Sequence, residues 1–396
     1  MSLFSTVEMA PRDPILGLTE QYQADPNPAK VNLGVGVYLD DEGKLPLLQC
    51  VQAVEKSMEP KPHGYLPIDG MPAYCTAVKH LVFGKDSDSV TGGRVATIQS
   101  LGGTGGLKVG ADFLRQQFPA AQILISDPSW ENHRALFTRA GFAVGTYRYY
   151  DPDTHDVRFG DMLEDLRAAR EGSIVLLHAC CHNPTGCDLG PAQWDEVIGI
   201  LRSRRLVPFL DMAYQGFSQG LQEDGAVVAK FAQSGLSFLV STSFSKSFSL
   251  YGERVGALSV VCADRDEAAR VLSQLKIAIR TNYSNPPTHG AAIVTSVLGQ
   301  PELTAMWERE LGEMRLRIRA MRQRLVEGLA ASGVARDMQF ITRQVGMFSY
   351  SGLNKEQMVR LRGEFGIYGT DAGRICVSAL NGKNIDYVCA CMAKVM

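Results

Sequence analysis

A regular alternation of short apolar runs and helical stretches between Arg94 and Cys262 most constrains the fold of this chain. The apolar runs have the length of buried strands, and amphipathic stretches separate most of them. In chain order, the segments are RVATIQ, GGLKVGADFLRQQF, QILISD, FAVGTYRY, SIVLLHACC, QWDEVIGILRS, LVPFLD, SFLVSTSF and ALSVVC. Strands that alternate with helices predict an α/β fold, in which helices cover both faces of a mainly parallel sheet.

Polar residues that follow the predicted strands are candidate ligand-binding residues, because ligands of such sheets bind beyond the carboxyl ends of the strands. The glycine-rich segment QSLGGTGG follows the first strand, and we expect a helix to begin near Thr104. Free backbone amides and a helix N-terminus suit a phosphate group. The segment lacks the dinucleotide pattern G-x-G-x-x-G, because Lys108 occupies the last glycine position, and it also lacks the P-loop pattern.

Later strands are followed by further polar and aromatic residues. These are Asp127 and Trp130 in SDPSWENH, Asn183 in CHNPTG, Asp211 and Tyr214 in FLDMAYQG, and Ser243, Ser245 and Lys246 in STSFSKSF. Each alone has a simpler explanation, since Asp and Asn often cap helices and aromatic residues often fill cores. Their shared position after strands predicts that they form one site.

Lys246 lies in the segment STSFSKSFSLYGERVGAL (241–258), which surrounds it with hydroxyl groups and ends near Arg254. One interpretation is the serine-nucleophile motif S-x-x-K, with Ser243 as nucleophile and Tyr283-Ser-Asn285 as a companion, but no K-T-G motif occurs. The other makes Lys246 a Schiff-base amine for an aldehyde cofactor. In that case the hydroxyls and Arg254 bind a phosphate, and a carboxylate such as Asp211 keeps a pyridine nitrogen protonated. Only the second interpretation accounts for the whole segment.

The overall charge favours a small-molecule partner. The 396 residues include 40 Lys and Arg and 42 Asp and Glu, and this net charge of -2 provides no general attraction to nucleic acid or to an acidic membrane. No apolar run approaches the ~20 residues of a membrane span, and the first residues lack the pattern of a signal peptide. The nine cysteines suit free thiols in a reducing compartment. We therefore expect a cytoplasmic protein.

The segment HACCHNPTGC (178–187) is the one candidate metal centre. We expect no metal there, because adjacent cysteines on an extended strand point to opposite faces. A second ligand pair at the spacing of a zinc finger is also missing.

A long helix is predicted from about Pro301 by the periodic apolar residues of ELTAMWERELGEMRLRIRAMRQRLVEGL. Its arginines lie largely off the apolar face, which predicts a solvated surface; they are Arg315, Arg317, Arg319, Arg322 and Arg324. Beyond it, GMFSYSGL and GRICVSAL are typical of strands in a smaller α+β domain. The N-terminal segment KVNLGVGVYLDDEGKLP has no place in the alternating region, so we expect it to join that domain.

Six segments together resemble motifs of the fold-type I, class I aminotransferases, in the branch of the aspartate and aromatic-amino-acid enzymes. The segments are SFSKSFSLYGERVG, CHNPTG, DMAYQGF, SLGGTGGLKVGADF, DPSWENH and IRTNYSNPP, and the resemblance runs from DPILGL near residue 14 to GRICV near residue 377. It implies a large domain (45–312), whose mainly parallel seven-stranded sheet lies between helices. It also implies a small α+β domain with an N-terminal arm (1–44 and 313–396).

The same resemblance implies pyridoxal 5'-phosphate as cofactor and assigns roles to matching residues. Lys246 would form the Schiff base and then move a proton, and Asp211 would pair with the pyridine nitrogen with support from His133. Trp130 would pack over the ring, and Tyr214 and Asn183 would hydrogen-bond its phenolic oxygen. The phosphate would be bound by Gly103, Thr104, Ser243, Ser245, Arg254 and Tyr65 of the partner subunit.

For the substrate, the resemblance implies that Arg374 binds the α-carboxylate together with Asn183 and the Gly36 amide. Arg280 of the partner subunit would bind a distal carboxylate, so the protein would be a homodimer with shared active sites.

The similarity is greatest to bacterial aromatic-amino-acid (tyrosine) aminotransferases. These exchange amino groups between tyrosine or phenylalanine and 2-oxoglutarate or glutamate, and we expect activity on aspartate as well. Leu39 and Leu45 occupy positions that suit an apolar pocket, whereas Thr104 and Asn285 resemble the aspartate enzymes. An aspartate aminotransferase with minor aromatic activity is the alternative.

Overall fold

The structure is a computed structural model that describes residues 2–10, 15–60, 62 and 64–396, so Asp13 and Pro14 of the DPILGL segment lie outside the described residues. The helices are α1 (Leu16–Ala24), α2 (Gln49–Ser57), α3 (Pro72–Phe83), α4 (Asp88–Thr91), α5 (Gly102–Gln117), α6 (Glu131–Arg139), α7 (Phe159–Ala168), α8 (Pro191–Ser203), α9 (Leu221–Gln233), α10 (Arg265–Asn282), α11 (His289–Leu298), α12 (Pro301–Ala331), α13 (Phe340–Arg343), α14 (Lys355–Phe365) and α15 (Ile385–Val395). The strands are β1 (Val31–Asn32), β2 (Val95–Leu101), β3 (Ile123–Asp127), β4 (Val144–Arg148), β5 (Tyr150–Asp151), β6 (Asp156–Val157), β7 (Ile174–His178), β8 (Val207–Met212), β9 (Phe238–Ser243), β10 (Val255–Val261), β11 (Phe348–Tyr350), β12 (Ile367–Tyr368) and β13 (Arg374–Cys376).

A seven-stranded sheet in the order β2-β10-β9-β8-β7-β3-β4 forms the centre of the fold. The pairs from β9 to β4 are parallel, whereas β10 is antiparallel to both of its neighbours. The chain from β9 to β10, residues 244–254, contains no helix, and a direct return of this kind makes neighbouring strands antiparallel. The mainly parallel seven-stranded sheet is therefore confirmed.

Helices cover both faces of this sheet, as the alternating pattern predicts. Phe209 and Leu210 are adjacent in β8 and fully buried, yet they belong to two separate hydrophobic clusters. Successive side chains of a strand point to opposite faces, so each cluster marks one face of the sheet. On the Phe209 side, α5 packs closely because Gly110 has no side chain: a Cβ there would lie 2.6 Å from the Phe209 ring.

The two ends of the chain meet beside the large sheet. Strand β1 pairs in parallel with β12, and Cys376 donates its backbone N–H to the Leu33 carbonyl. Strands β11 and β13 form an antiparallel pair in which Tyr350 lies opposite Arg374. The N-terminal segment thus packs with the C-terminal residues, as we expected. Among the described helices, none combines the length and the apolar character that crossing a bilayer requires.

The predicted solvated surface of α12 holds for Arg319 and Arg324, which are exposed. It is wrong for Arg322, and Arg315 and Arg317 are half-buried. Arg322 is only 2% exposed. Arg315, Arg317 and Arg319 donate hydrogen bonds to the carbonyls of residues 216, 380 and 218, respectively. The loops that contain residues 216–218 and residue 380 pack against α12. Backbone carbonyls that are removed from water need hydrogen-bond donors, and the arginines provide them. Periodicity along α12 could not show which loops would lie there.

Two local expectations also change. Helix α5 begins at Gly102 rather than near Thr104, because the chain turns directly at Gly102, whose φ is +66°.

Strand β7 ends at His178, before the adjacent cysteines, and Cys181 has a φ of 51°. The two thiols therefore do not point to opposite faces of a strand, and they approach each other and Asp224 to within 4.8 Å. The Asp224 carboxylate already accepts hydrogen bonds from the backbone N–H groups of Gly216, Ser218 and Gln219.

Candidate active site

A cavity of about 230 Å³ lies at the carboxyl ends of the parallel strands, as expected for this sheet type. The strand register aligns the residues that line it, since His178 pairs with Asp211 across β7 and β8, and Asp211 pairs with Ser241 across β8 and β9. The cavity brings together most of the predicted site residues: Gly36, Gly103, Thr104, Trp130, Asn183, Asp211, Tyr214, Ser243, Ser245, Lys246 and Arg254.

A second cavity of about 410 Å³ adjoins the first, since Trp130, Asn183, Tyr214 and Lys246 are among the residues that line both. It adds Arg374, the predicted carboxylate-binding residue. The two cavities together form one cleft, whose inner part lies at the sheet edge and whose outer part reaches the C-terminal residues.

Lys246 lies in the turn that follows β9, and this half-buried residue lines the inner cavity. Its ammonium nitrogen is 5.1 Å from the centre of the Tyr214 ring. Burial lowers the pKa of Lys246 to about 8, and the charges of Arg254 and Arg374 act in the same direction, while Asp211 opposes them. An amine with this pKa is partly neutral near pH 7–8, which is the form that attacks a carbonyl and accepts a proton.

Asp211 is a buried carboxylate at the end of β8. Its Oδ2 is 2.9 Å from Nε2 of His133, and Nδ1 of His133 is 2.9 Å from Oγ of Ser129. Burial raises the pKa of Asp211, but the hydrogen bond with His133 and the nearby charge of Lys246 outweigh burial and leave the pKa below its usual value. Asp211 is therefore held as an anion that faces the cavity.

Another part of the inner cavity lining has the features of an anion-binding surface. Helix α5 begins there, without an acidic residue in its first turn or a side chain capping its N-terminus. The Arg254 guanidinium donates to Oγ of Ser245 at 3.3 Å and to the Tyr251 carbonyl at 3.1 Å, and no ion pair joins it to a carboxylate of the described residues. A helix N-terminus beside an arginine without a counter-ion attracts a phosphate group.

Close contact between strands and helix shapes this surface. A Cβ at Gly102 would lie 2.6 Å from the Arg254 guanidinium, and a Cβ at Gly256 would lie 2.4 Å from the Gly102 backbone. Both positions therefore need glycine, because a side chain would displace Arg254 or the start of α5.

Arg374, the first residue of β13, is 1% exposed. It donates to Oδ1 of Asn183 at 3.1 Å and to the Gly34 carbonyl at 2.7 Å. The Phe348 ring covers the guanidinium at 4.3 Å, and the Glu131 carboxylate lies 3.7 Å away. Within the described residues, Nε of Arg374 has no hydrogen-bond partner. Arg374 itself lines the outer cavity, and a buried guanidinium with an unused N–H suits a carboxylate ligand.

The loop after β7 places Asn183 between the two parts of the cleft. The Asp188 carboxylate accepts the backbone N–H groups of Cys181 at 2.7 Å and His182 at 2.8 Å, which closes the loop. Asn183 is 4% exposed and faces both cavities. One amide side chain therefore contacts Arg374 on one side and the inner cavity on the other.

Asp127, Tyr65 and Arg280 were predicted for the site but do not line this cleft, and Asp127 is exposed at the end of β3. Among the described residues that line the cavities, neither Tyr65 nor Arg280 is found. Tyr65 is 94% exposed, and the exposed Arg280 donates to Oγ of Ser284. Of the proposed pocket residues, Leu39 packs against the core and Leu45 is 48% exposed. Tyr65, Arg280 and Leu45 are therefore accessible on the surface of the single chain.

Sequence reasoning did not assign several residues that line the cleft to the site, among them His178, Tyr251 and Phe348. His178 ends β7 and meets the same strand-end rule that selected Asp211, but we considered it only as a metal ligand. Burial lowers the pKa of His178 to about 3, so it is neutral. Tyr251 could have been predicted from the sequence, because it lies in the same segment (241–258) as Lys246. Phe348 carries no signal, because an aromatic residue in a strand is usually core.

Comparisons with known proteins agree with this geometry. The family model for aminotransferase class I and II matches residues 28–391. An aspartate aminotransferase of Pseudomonas aeruginosa is 61% identical over 398 residues, and an aromatic-amino-acid aminotransferase of Escherichia coli is 51% identical over 397 residues, each with 100% of both chains covered. A crystal structure of an aromatic-amino-acid aminotransferase from Burkholderia pseudomallei, covalently bound to pyridoxal phosphate, has a TM-score of 0.97 at 61% identity and covers 100% of both chains.

These matches span the chain and include the strand-end residues that form the cleft. They also remove the serine-hydrolase interpretation of Ser243 and Lys246. The chain belongs to the class I and II aminotransferase family.

Proposed function

We propose that this chain is a pyridoxal-phosphate-dependent aminotransferase that exchanges amino groups between aromatic amino acids and 2-oxoglutarate or glutamate, and that it also accepts aspartate. The observation that carries the proposal is the buried amine of Lys246, which shares one cavity with the Asp211 carboxylate and with the anion-binding surface at Arg254. An aldehyde cofactor with a pyridine nitrogen and a phosphate needs these three groups.

The residues of the inner cavity fit this cofactor. Its phosphate would be bound by Gly103, Thr104, Ser243, Ser245 and Arg254, since this surface has a helix N-terminus and an arginine without a carboxylate partner. The pyridine nitrogen would meet Asp211, whose anionic form His133 stabilises. Trp130 would lie against the ring, and Tyr214 and Asn183 would hydrogen-bond its phenolic oxygen.

Pyridoxal phosphate supplies an aldehyde that binds amines and a ring that withdraws electrons from the substrate α-carbon. Lys246 would hold the cofactor before the amino acid arrives, and its amine would then carry a proton between the substrate α-carbon and the cofactor. Its lowered pKa keeps part of the amine neutral for this task near neutral pH. Because Asp211 stays anionic, it keeps the ring nitrogen protonated and maintains the electron withdrawal.

Arg374 would orient the amino acid by binding its α-carboxylate, assisted by Asn183 and the Gly36 amide. The free Nε–H of Arg374 and the lining of the outer cavity support this role. With the carboxylate bound at Arg374, the α-carbon would lie toward the inner cavity and Lys246, and the side chain of the substrate would lie in the outer cavity.

The substrate side chain distinguishes two versions of this function. Trp130 and Phe348 give the outer cavity aromatic walls, which suit phenylalanine and tyrosine. The alternative is an aspartate aminotransferase with minor aromatic activity, and it is favoured by the name of the Pseudomonas aeruginosa relative. At the same 61% identity, the Burkholderia pseudomallei structure carries the aromatic name.

We further propose a cytoplasmic homodimer in which Tyr65 and Arg280 of each subunit complete the site of the other. Their exposure outside the cleft supports this arrangement, as does the exposure of apolar residues near the N-terminus, where Phe4 is 72% and Met9 is 96% exposed. The large domain would comprise residues 45–312. The small domain, with an N-terminal arm, would comprise residues 1–44 and 313–396; the β1–β12 pairing supports that division.

The decisive experiment is a half-reaction panel with purified protein and pyridoxal phosphate. Phenylalanine, tyrosine and aspartate should each change the absorbance of the bound cofactor, and 2-oxoglutarate should restore it. Protein that binds no cofactor would contradict the proposal as a whole. Activity on aspartate without activity on phenylalanine or tyrosine would favour the alternative.

A further inference from the structure

Arg322 is a buried cation in the middle of α12 whose environment is unusual. Its guanidinium is 2% exposed, and the titratable groups near it among the described residues are the thiols of Cys181, Cys187 and Cys376, whose pKa values are raised by burial so that they stay neutral. No ion pair joins it to a carboxylate of any described residue. Burial lowers the pKa of Arg322 to about 10. Burying a charge without a counter-ion costs free energy. The hydrogen bonds of Arg322 must offset this cost, so we infer that they have a specific structural effect.

All hydrogen bonds of this guanidinium go to one segment, residues 341–348. Nη1 donates to the Ile341 carbonyl at 3.2 Å, and Nη2 donates to the Gly346 carbonyl at 2.9 Å and to the Phe348 carbonyl. A planar guanidinium with several fixed N–H groups holds three carbonyls in one arrangement, which neither lysine nor an apolar residue achieves. Arg322 therefore fixes the backbone that leads into β11.

The residue at the end of this segment forms a wall of the outer cavity. The Phe348 ring lies 4.3 Å from the Arg374 guanidinium and meets the Tyr214 ring edge-on at 5.9 Å. It also fills the space beside Gly36, where a Cβ would lie 2.7 Å from the ring. One aromatic ring thus contacts three of the residues assigned to the substrate and cofactor.

We propose that Arg322 is a positioning residue for the substrate-carboxylate site, acting through the carbonyls of residues 341–348 to hold the Phe348 ring over Arg374. This inference rests on the proposed function, because it assigns the carboxylate to Arg374. Arg322 does not touch the cleft itself. The cofactor-binding residues Asp211, Lys246 and Arg254 lie on β8 and in the β9–β10 connection, so their positions do not depend on Arg322.

The test uses 3-phenylpropionate, an analogue of phenylalanine that lacks the amine, in the full-length protein loaded with pyridoxal phosphate. R322M should raise the Kd of 3-phenylpropionate and the KM of phenylalanine by about tenfold, the effect of one lost charge-assisted hydrogen bond. The Kd of the cofactor and kcat should remain within about twofold of wild type. R322K should give an intermediate Kd, because an ammonium reaches only some of the carbonyls. R324M is the matched control, since Arg324 is exposed on the same helix.

A double-mutant cycle shows whether the effect passes through Phe348. In an F348A background, R322M should change the Kd of 3-phenylpropionate by less than about twofold, because the ring that it positions is gone. Independent effects, in which the two losses multiply, would overturn the proposal. If R322M does not fold, R322K replaces it in the cycle, and folded R322K with a wild-type Kd would also overturn the proposal.

Failure of this inference differs from failure of the proposed function. Wild-type protein that binds both ligands, together with an R322M variant that behaves identically, contradicts only the role of Arg322. Wild-type protein that binds neither pyridoxal phosphate nor 3-phenylpropionate contradicts the proposed function.

Discussion

Replacing Arg374 by lysine tests how the substrate is held. The buried guanidinium has three usable edges: one bonds Asn183, one bonds the Gly34 carbonyl, and Nε–H remains without a partner among the described residues. Lysine keeps the positive charge but loses the planar fork. Its single ammonium cannot serve Asn183, the carbonyl and a carboxylate in the same geometry.

The magnitude follows from the number of contacts. A carboxylate bound by two parallel N–H groups of Arg374 would keep one in Arg374→Lys, so one charge-assisted hydrogen bond worth about 1.5–3 kcal/mol is lost. That energy corresponds to a decrease in kcat/KM of about 10- to 150-fold. Every amino acid carries the α-carboxylate, so phenylalanine and aspartate should be affected alike.

Half-reactions with phenylalanine and with aspartate provide the measurement, because they avoid competition from the second substrate. Arg324→Lys makes the same chemical change at an exposed position of α12 and should leave both values unchanged. Arg374→Lys should also retain pyridoxal phosphate, since Arg374 does not line the inner cavity. A loss that falls on one substrate only, or a loss below about threefold on both, would refute the assignment of Arg374 to the α-carboxylate.

Three further predictions concern the amine and the dimer. Borohydride should fix pyridoxal phosphate covalently on Lys246, as found by peptide mapping, and Lys246→Ala should remove both the label and the activity; a label on another lysine would contradict the assignment. Arg280→Leu should lower kcat/KM for aspartate by about 100-fold while changing that for phenylalanine much less, and hybrids with Lys246→Ala chains should recover aspartate activity if the sites are shared. In the cofactor-free protein, the pKa of Lys246 of about 8 lies below the usual 10.5, so the unfolded chain binds more protons between these values and stability rises with pH in that window. The free energy of unfolding, measured by denaturant at pH 7 and pH 10, should rise by about 2 kcal/mol more in wild type than in Lys246→Met, and equal changes would show that burial does not depress this pKa.

Much of the inner cavity could be predicted from the chain alone, for a physical reason that Asp211 and Lys246 illustrate. Each follows an apolar run that forms a parallel strand, and the carboxyl ends of parallel strands meet at one edge of the sheet. Their position therefore depends mainly on local pattern and on the sheet type. His178 obeys the same rule and was missed only because its neighbouring cysteines suggested a different chemistry.

The outer cavity depends on contacts between distant segments, which local pattern does not encode. Arg374 and Asn183 are separated by 191 positions, and Phe348 and Gly36, whose contact forms another part of this cavity, lie even farther apart along the chain. Resemblance to a family assigned Arg374 its role, but the ring that covers it and the Glu131 carboxylate beside it emerge only from the folded chain. The error at Arg322 has a related cause, since its periodic position predicted solvent, whereas the segment after α12, whose carbonyls lie 19 to 26 positions further along the chain, covers it.

What the sequence by itself determined is the alternating α/β architecture, the edge of the sheet where the ligand binds and the residues that follow its strands. These features are local, because strand length, helix periodicity and glycine-rich turns depend on neighbouring residues. The tertiary structure alone decided the burial and lowered pKa of Lys246 and the aromatic cover over Arg374. Each of these requires groups far apart in the chain to be brought together and removed from water, since both burial and charge interaction depend on distance in space.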